Sequence, residues 1–203
     1  NDIKNIYSAS ADSIDYRLRQ AYVDLYFKSS DLRVGKQIIS WGRADGTFIT
    51  DILTPVDLTE FLTQDFADLR LGVTAIKYTH YFGSDYLQLV MNPIFNSNQL
   101  PSYQSRWFPR LPFQTSIPIE INEDQRPDNL KDIQLAAKYA LRSNLNYDLD
   151  IGLLYWNHPM PRYAKELTLQ IPNIQLELTE QYRQSFIGMY SGTVQLADKL
   201  LIT

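Results

Sequence analysis

Along much of this chain apolar and polar residues change places at every position, the two-residue period of a strand with one apolar face. In residues 14–27, Ala21, Val23, Leu25 and Phe27 alternate with Gln20, Tyr22, Asp24 and Tyr26. Residues 68–82 set Leu69, Leu71, Val73 and Ala75 against Arg70, Gly72 and Thr74, and residues 86–95 set Leu87, Leu89 and Met91 against Gln88, Val90 and Asn92. The clearest pair comes later. Ile133, Leu135, Ala137, Tyr139 and Leu141 oppose Asp132, Gln134, Ala136, Lys138, Ala140 and Arg142. Tyr147, Leu149, Ile151, Leu153 and Tyr155 then oppose Asp148, Asp150, Gly152, Leu154 and Trp156. Residues 32–41 keep a poorer phase, because Lys36, Ile38 and Ile39 disturb it. A further strand is predicted over 183–196, and 200–203 begins another.

The connections differ sharply in length. Short polar turns fall at 28–31, 83–85, 143–146 and 197–199, and long loops at 42–67, 96–130 and 157–180. In the first long loop Thr54 suits a helix cap, Pro55 the first helical position and Asp57 the first turn, which predicts a short helix. In the third, Leu167–Ile171 and Ile174–Leu178 are predicted to pair as a small hairpin. Short turns at one end and long loops at the other are the layout of an all-β, antiparallel up-and-down transmembrane β-barrel. The first strand runs down into a short turn and the last stops after leaving one. A complete bacterial barrel begins and ends on the periplasmic side, so residues 1–203 are expected to be one segment of a larger barrel.

Periodicity does not say which face is wet. In a soluble β-sandwich the apolar faces would share a core, and Trp107, Phe108, Tyr155 and Trp156 would serve as stacking platforms for a carbohydrate or other ligand. Three features favour the barrel. Tyr26, Phe27, Tyr81, Phe82, Tyr86 and Tyr147 stand beside short turns, and Trp41, Phe95, Tyr155 and Trp156 beside long loops, as two aromatic girdles would. The polar faces carry both signs of charge. The loop asymmetry exceeds what sandwiches usually show. A surface barrel with a plugged lumen is a third reading.

Composition narrows the chemistry. Hydrophobic residues make up 44% and charged residues 21% of 203, which excludes a disordered chain. The net charge of −4, with signs interspersed, offers no basic stripe for nucleic acid. Without cysteine there is no disulfide and no thiolate metal site. No run of about 18 apolar residues exists to form a transmembrane helix, whereas a barrel strand needs only about 9–11 residues. His80 and His158 lie in no metal-binding spacing, and no G-x-S-x-G elbow occurs. Asp148 and Asp150 share a face about 7 Å apart, which suits lumen charges facing Lys138 and Arg142 better than acid/base catalysis. Asn122-Glu123-Asp124 with Asp128-Asn129 lacks the calcium-loop order. The expectation is a protein that is not an enzyme, with no cofactor and no metal. Its lumen would be lined by Asp24, Arg70, Gln134, Lys138, Asp148 and Asp150, and Arg43 and Asp45 would form a constriction at the mouth.

Gly35-Lys36-Gln37-Ile38-Ile39-Ser40-Trp41-Gly42, followed by Leu53-Thr54-Pro55-Val56-Asp57, resembles a family of Gram-negative outer-membrane β-barrels of uncharacterised function. Those proteins carry a G-[RK]-Q-x-x-x-W-G strand end and an N/T-P-x-D element soon after. The resemblance covers residues 22–95 and marks Gly35, Gln37, Trp41, Gly42, Pro55 and Asp57. It implies an outer-membrane channel in contact with the lipid bilayer, for passive passage or export of small or hydrophobic solutes, with envelope export components as partners.

Overall fold

The computed structural model describes residues 18–41, 52–60, 68–101, 106–107, 119–123, 132–142, 147–170, 173–197 and 200–202. These are all-β, and no α-helix occurs among them. The strands are β1 (Ala21–Tyr26), β2 (Ser30–Gln37), β3 (Val73–Phe82), β4 (Asp85–Asn92), β5 (Ile119–Glu123), β6 (Gln134–Arg142), β7 (Tyr147–Asn157), β8 (Arg162–Gln170), β9 (Asn173–Gln181), β10 (Gln184–Ala197) and β11 (Leu200–Ile202).

Eight of them form one sheet in the order β1-β2-β3-β4-β6-β7-β10-β11, antiparallel throughout. Chain neighbours are sheet neighbours except where β5, β8 and β9 leave to form a second sheet. This up-and-down order follows from the short turns. Phe82 pairs with Asp85 across a two-residue loop, and Gly83 takes the positive φ of 70° that such a loop needs. The sheet is open: β1 and β11 are its two edges and do not pair with each other.

Burial alternates with the two-residue period, but with the polarity reversed from that of a soluble sheet. On one face stand Val23, Leu25, Leu89, Leu135, Ile151, Leu153, Phe186, Tyr190 and Val194, all exposed. Leu153 is 69% exposed, Phe186 87% and Tyr190 82%. The other face buries Gln37, Thr79, Asn92, Gln134, Lys138 and Asp150. The hydrophobic core lies on this inner face as well, in the half nearer the long loops. It joins Ile39, Trp41, Val73, Ala75, Val90, Ala136, Leu154, Trp156 and Met189 to Leu53, which reaches in from the first long loop.

Three local expectations change. Residues 52–60 form no helix: Val56 bridges Arg70 and Asp57 bridges Gln99. The Thr54 hydroxyl, free to cap a helix, is instead held between the amide and carbonyl of Ile39, at 3.1 and 2.6 Å. In β3 the residues that share the inner face are Val73, Ala75, Lys77 and Thr79, so Val73 and Ala75 pack into the core rather than facing outward. The loops at 96–130 and 157–180 also contain strands. β8 and β9 pair antiparallel through Leu169 and Ile174 as the sequence predicts, over a longer span, and β5 adds in parallel to β9.

Candidate functional site

The inner face of the large sheet brings together residues from six strands in register. Asp24 lies opposite Arg33, Arg33 opposite Lys77, and Lys77 opposite Val90. One row nearer the short turns, Thr79 lies opposite Gln88 and Gln88 opposite Lys138. Alternation places all these side chains on one side.

The charges form a belt. Arg33 grips Asp24 with two nitrogens, Nε to Oδ1 at 2.6 Å and Nη2 to Oδ2 at 2.8 Å. Such a fork-to-carboxylate pair is among the stronger ionic contacts. The Arg33 guanidinium also stacks 3.8 Å from the Tyr22 ring centroid. Across the sheet Arg142 Nη1 donates to Asp150 Oδ1 at 2.6 Å, and Arg142 Nη2 to the Tyr86 hydroxyl at 3.3 Å. Between these two pairs stand Lys77 and Lys138. The Lys138 ammonium lies 5.4 Å from the Trp41 ring and 5.5 Å from that of Tyr86. Gln88 links the middle of the belt, donating to Thr79 Oγ1 at 3.1 Å and accepting from Trp41 Nε1 at 2.5 Å.

Of the sequence motif, Gly35 and Gln37 tie β2 to its neighbouring strands, and Trp41, Pro55 and Asp57 hold the described part of the first long loop against the sheet and the segment before β3. Gly35 has φ 131°, and a Cβ there would collide with the Ala21 carbonyl oxygen and stand 2.7 Å from Tyr22 Cα. Only glycine lets β1 approach so closely. Gln37, fully buried, donates to the Ala75 carbonyl at 2.9 Å. Pro55 accepts at its carbonyl from the Leu71 amide at 2.8 Å. Asp57 donates its amide to Leu69 O at 2.7 Å, and its carboxylate accepts from the Thr59 amide at 3.0 Å.

A family model matches residues 7–175, more than four-fifths of the chain. The chain belongs to the DUF1302 family. Its members are described as proteins of unknown function. No curated protein and no solved structure matches the chain. The DUF1302 match runs from before β1 into β9 and so includes the whole belt and every motif residue.

Of the lining residues expected in this DUF1302 chain, Asp24, Lys138, Asp148 and Asp150 lie on strands of the inner face, with Asp148 opposite Arg142 in register. Gln134 is also inward, but it is 1% exposed and accepts from the Asn157 amide at 3.1 Å, so it ties β6 to the end of β7 instead of facing open space. Arg70 precedes β3, in the bridge to Val56. Arg43, Asp45 and Gly42 lie outside the described residues. Their flanks, Trp41 and Ile52, both pack on the inner core.

Tyr155 and Trp156 face opposite ways. Tyr155 lies against Phe186 on the outer face with ring centroids 4.7 Å apart, whereas Trp156 is buried inside, so the two make no common stacking platform. Trp107 lies beside Arg106, and Phe108 falls outside the described residues. His80 packs outward between Tyr78 and Phe82, and His158 accepts from the Met160 amide. Among the described residues no group of three or more His, Asp or Glu could hold a metal ion. Arg33 and Lys77 share the face of Asp24 and Lys138 but were not among the residues expected there. A turn at 28–31 would set Arg33 opposite Tyr26; the chain turns earlier, at Lys28-Ser29, and that register brings Arg33 opposite Asp24. Lys77 was hidden by the lack of polar alternation around it.

Proposed function

We propose that this DUF1302 chain forms part of the wall of a Gram-negative outer-membrane β-barrel that lets small or hydrophobic solutes pass by diffusion or export. The observation that carries the reading is the reversed polarity of the large sheet. Water would penalise an exposed surface made of Leu153, Ile151, Leu135, Phe186 and Tyr190, since soluble monomers seldom show large contiguous apolar patches. Acyl chains remove that penalty, and a barrel strand alternates apolar outside with polar inside. Burial of Lys138, Asp150, Thr79 and Asn92 on the opposite side fits a lumen wall.

On this reading the lipid bilayer contacts the outer face, and solutes move along the belt of Asp24, Arg33, Lys77, Lys138, Asp150 and Arg142. Leu53 and Trp41 narrow the passage at the long-loop end. Selectivity then comes from charge and width, not from catalysis. Envelope export components are its proposed partners.

The test is purification with and without detergent, followed by reconstitution in planar bilayers. A requirement for detergent with discrete conductance steps supports the proposal. A monodisperse preparation in plain buffer overturns it, and a detergent-requiring protein without conductance replaces the open channel with a plugged barrel.

A further inference from the structure

The inner face sets Arg33, Lys77, Lys138 and Arg142 among Asp24, Asp31, Asp148 and Asp150, but among the described residues the two lysines stand outside its ion pairs. Asp24 is taken by Arg33 and Asp150 by Arg142, both at 2.6 Å. Lys138 is 6% exposed, and its ammonium meets two aromatic rings but no carboxylate and no hydrogen-bond acceptor among the described residues. Half-buried Lys77, one strand beyond Gln88 on the same face, likewise forms no ion pair or hydrogen bond among them. Aromatic faces attract an ammonium by about 0.5–2 kcal/mol but leave its charge in place. Buried charges are as a rule paired, yet among the described residues neither lysine has a carboxylate within ion-pair distance.

We propose that Lys77 and Lys138 form an anion-binding site for a carboxylate that carries an apolar body. Two ammonium point charges on different strands, with the Gln88 amide between them, suit a small carboxylate. Arginine forks and helix N-terminal amides would grip the oxygens of an anion in fixed geometry, whereas lysines act as point charges on carboxylate and phosphate alike, so the apolar surface beside them selects the class. Here both arginines are engaged by aspartates and the strand amides serve the sheet ladder. One row nearer the long loops lie Val90, Ala136 and Leu154, with Trp156 beyond them. They supply the apolar surface that the rest of such a solute would meet. The inference deepens the channel reading by naming the class of solute, and it rests on that reading for the route the solute takes.

Binding is tested apart from conduction. Trp41 lies beside Lys138, so tryptophan emission of the solubilised protein is followed while sodium butyrate is added, with sodium chloride and butylammonium chloride at equal ionic strength as controls. The expected result is a saturable change with butyrate alone. It should weaken about tenfold or more in K138M and in K77M, as loss of a charge-assisted contact implies, and persist in K138R. Should K138M fail to fold, half-buried Lys77→Met carries the same test. Absence of a saturable response in the unaltered protein, an equal response to butylammonium, or undiminished binding in the lysine variants overturns the site. Missing conductance with intact butyrate binding would count against the channel alone.

Discussion

Trp41 donates its indole N–H to Gln88 Oε1 at 2.5 Å. That bond joins the residue that opens the first long loop, just past β2, to the centre of β4, across β3. It explains why the tryptophan stands at the strand end: its ring closes the inner core beside Leu53 while its nitrogen finds an acceptor in the polar belt. Replacing Gln88 by leucine removes that acceptor from a buried donor, which should cost about 1–3 kcal/mol. A lowered unfolding midpoint and a shifted tryptophan emission would register it, whereas an unchanged midpoint would show that the loop is held by other contacts.

Arg142 and Asp150 form the best-buried ion pair among the described residues, the aspartate side chain 2% and the arginine 23% exposed. Asp150→Asn removes the carboxylate that Arg142 contacts and leaves only Asp148 opposite it, and a loss of about 1–3 kcal/mol is expected from such a half-desolvated pair. Arg142→Met should cost comparably. The double variant should recover part of the loss, because two neutral groups do not strand a charge. A thermodynamic cycle over the four proteins checks this; strict additivity would mean the pair contributes nothing as a pair.

Gly35 and Gly188 give opposite expectations for one chemical change. Gly35→Ala forces a side chain into φ 131° and against the backbone of Ala21 and Tyr22, so β1 must separate from β2 at a cost of about 1–3 kcal/mol or more. At Gly188 a Cβ meets nothing within 4 Å, and alanine should change stability by no more than about 0.5 kcal/mol. Protease sensitivity of the β1–β2 hairpin, compared between the two variants, separates them.

The strands and their turns were legible because a two-residue period and a glycine-bearing turn are local properties, as in Leu135 to Arg142 and around Gly83. The face assignment was legible in part. Leu135, Ile151 and Leu153 do face away from the buried side, but Val73 and Ala75 look like outward residues in sequence and are buried inside. Their environment is set by Leu53 and Ile39 arriving from distant positions, which no local window contains. The predicted helix at Thr54 failed for the same reason: the hydroxyl found Ile39 rather than its own amides. Asp24 and Asp150 were recognisable as polar-face residues and Arg142 as a neighbour of Asp150, whereas Arg33 owes its place opposite Asp24 to where the turn falls. Lys77, amid Ile76 and Tyr78, gave no sign of facing inward.

Neighbouring residues of β10 permit the most direct test of which face meets lipid. Tyr190 is outward, and Met189 is inward in the core. Because the chain contains no cysteine, Tyr190→Cys and Met189→Cys can each carry one fluorescent label in protein reconstituted into liposomes. Nitroxides on the acyl chains should quench the label at 190 strongly and spare that at 189. Quenching of the label at 190 by aqueous iodide, with no effect of the lipid nitroxides, would contradict a bilayer-facing sheet.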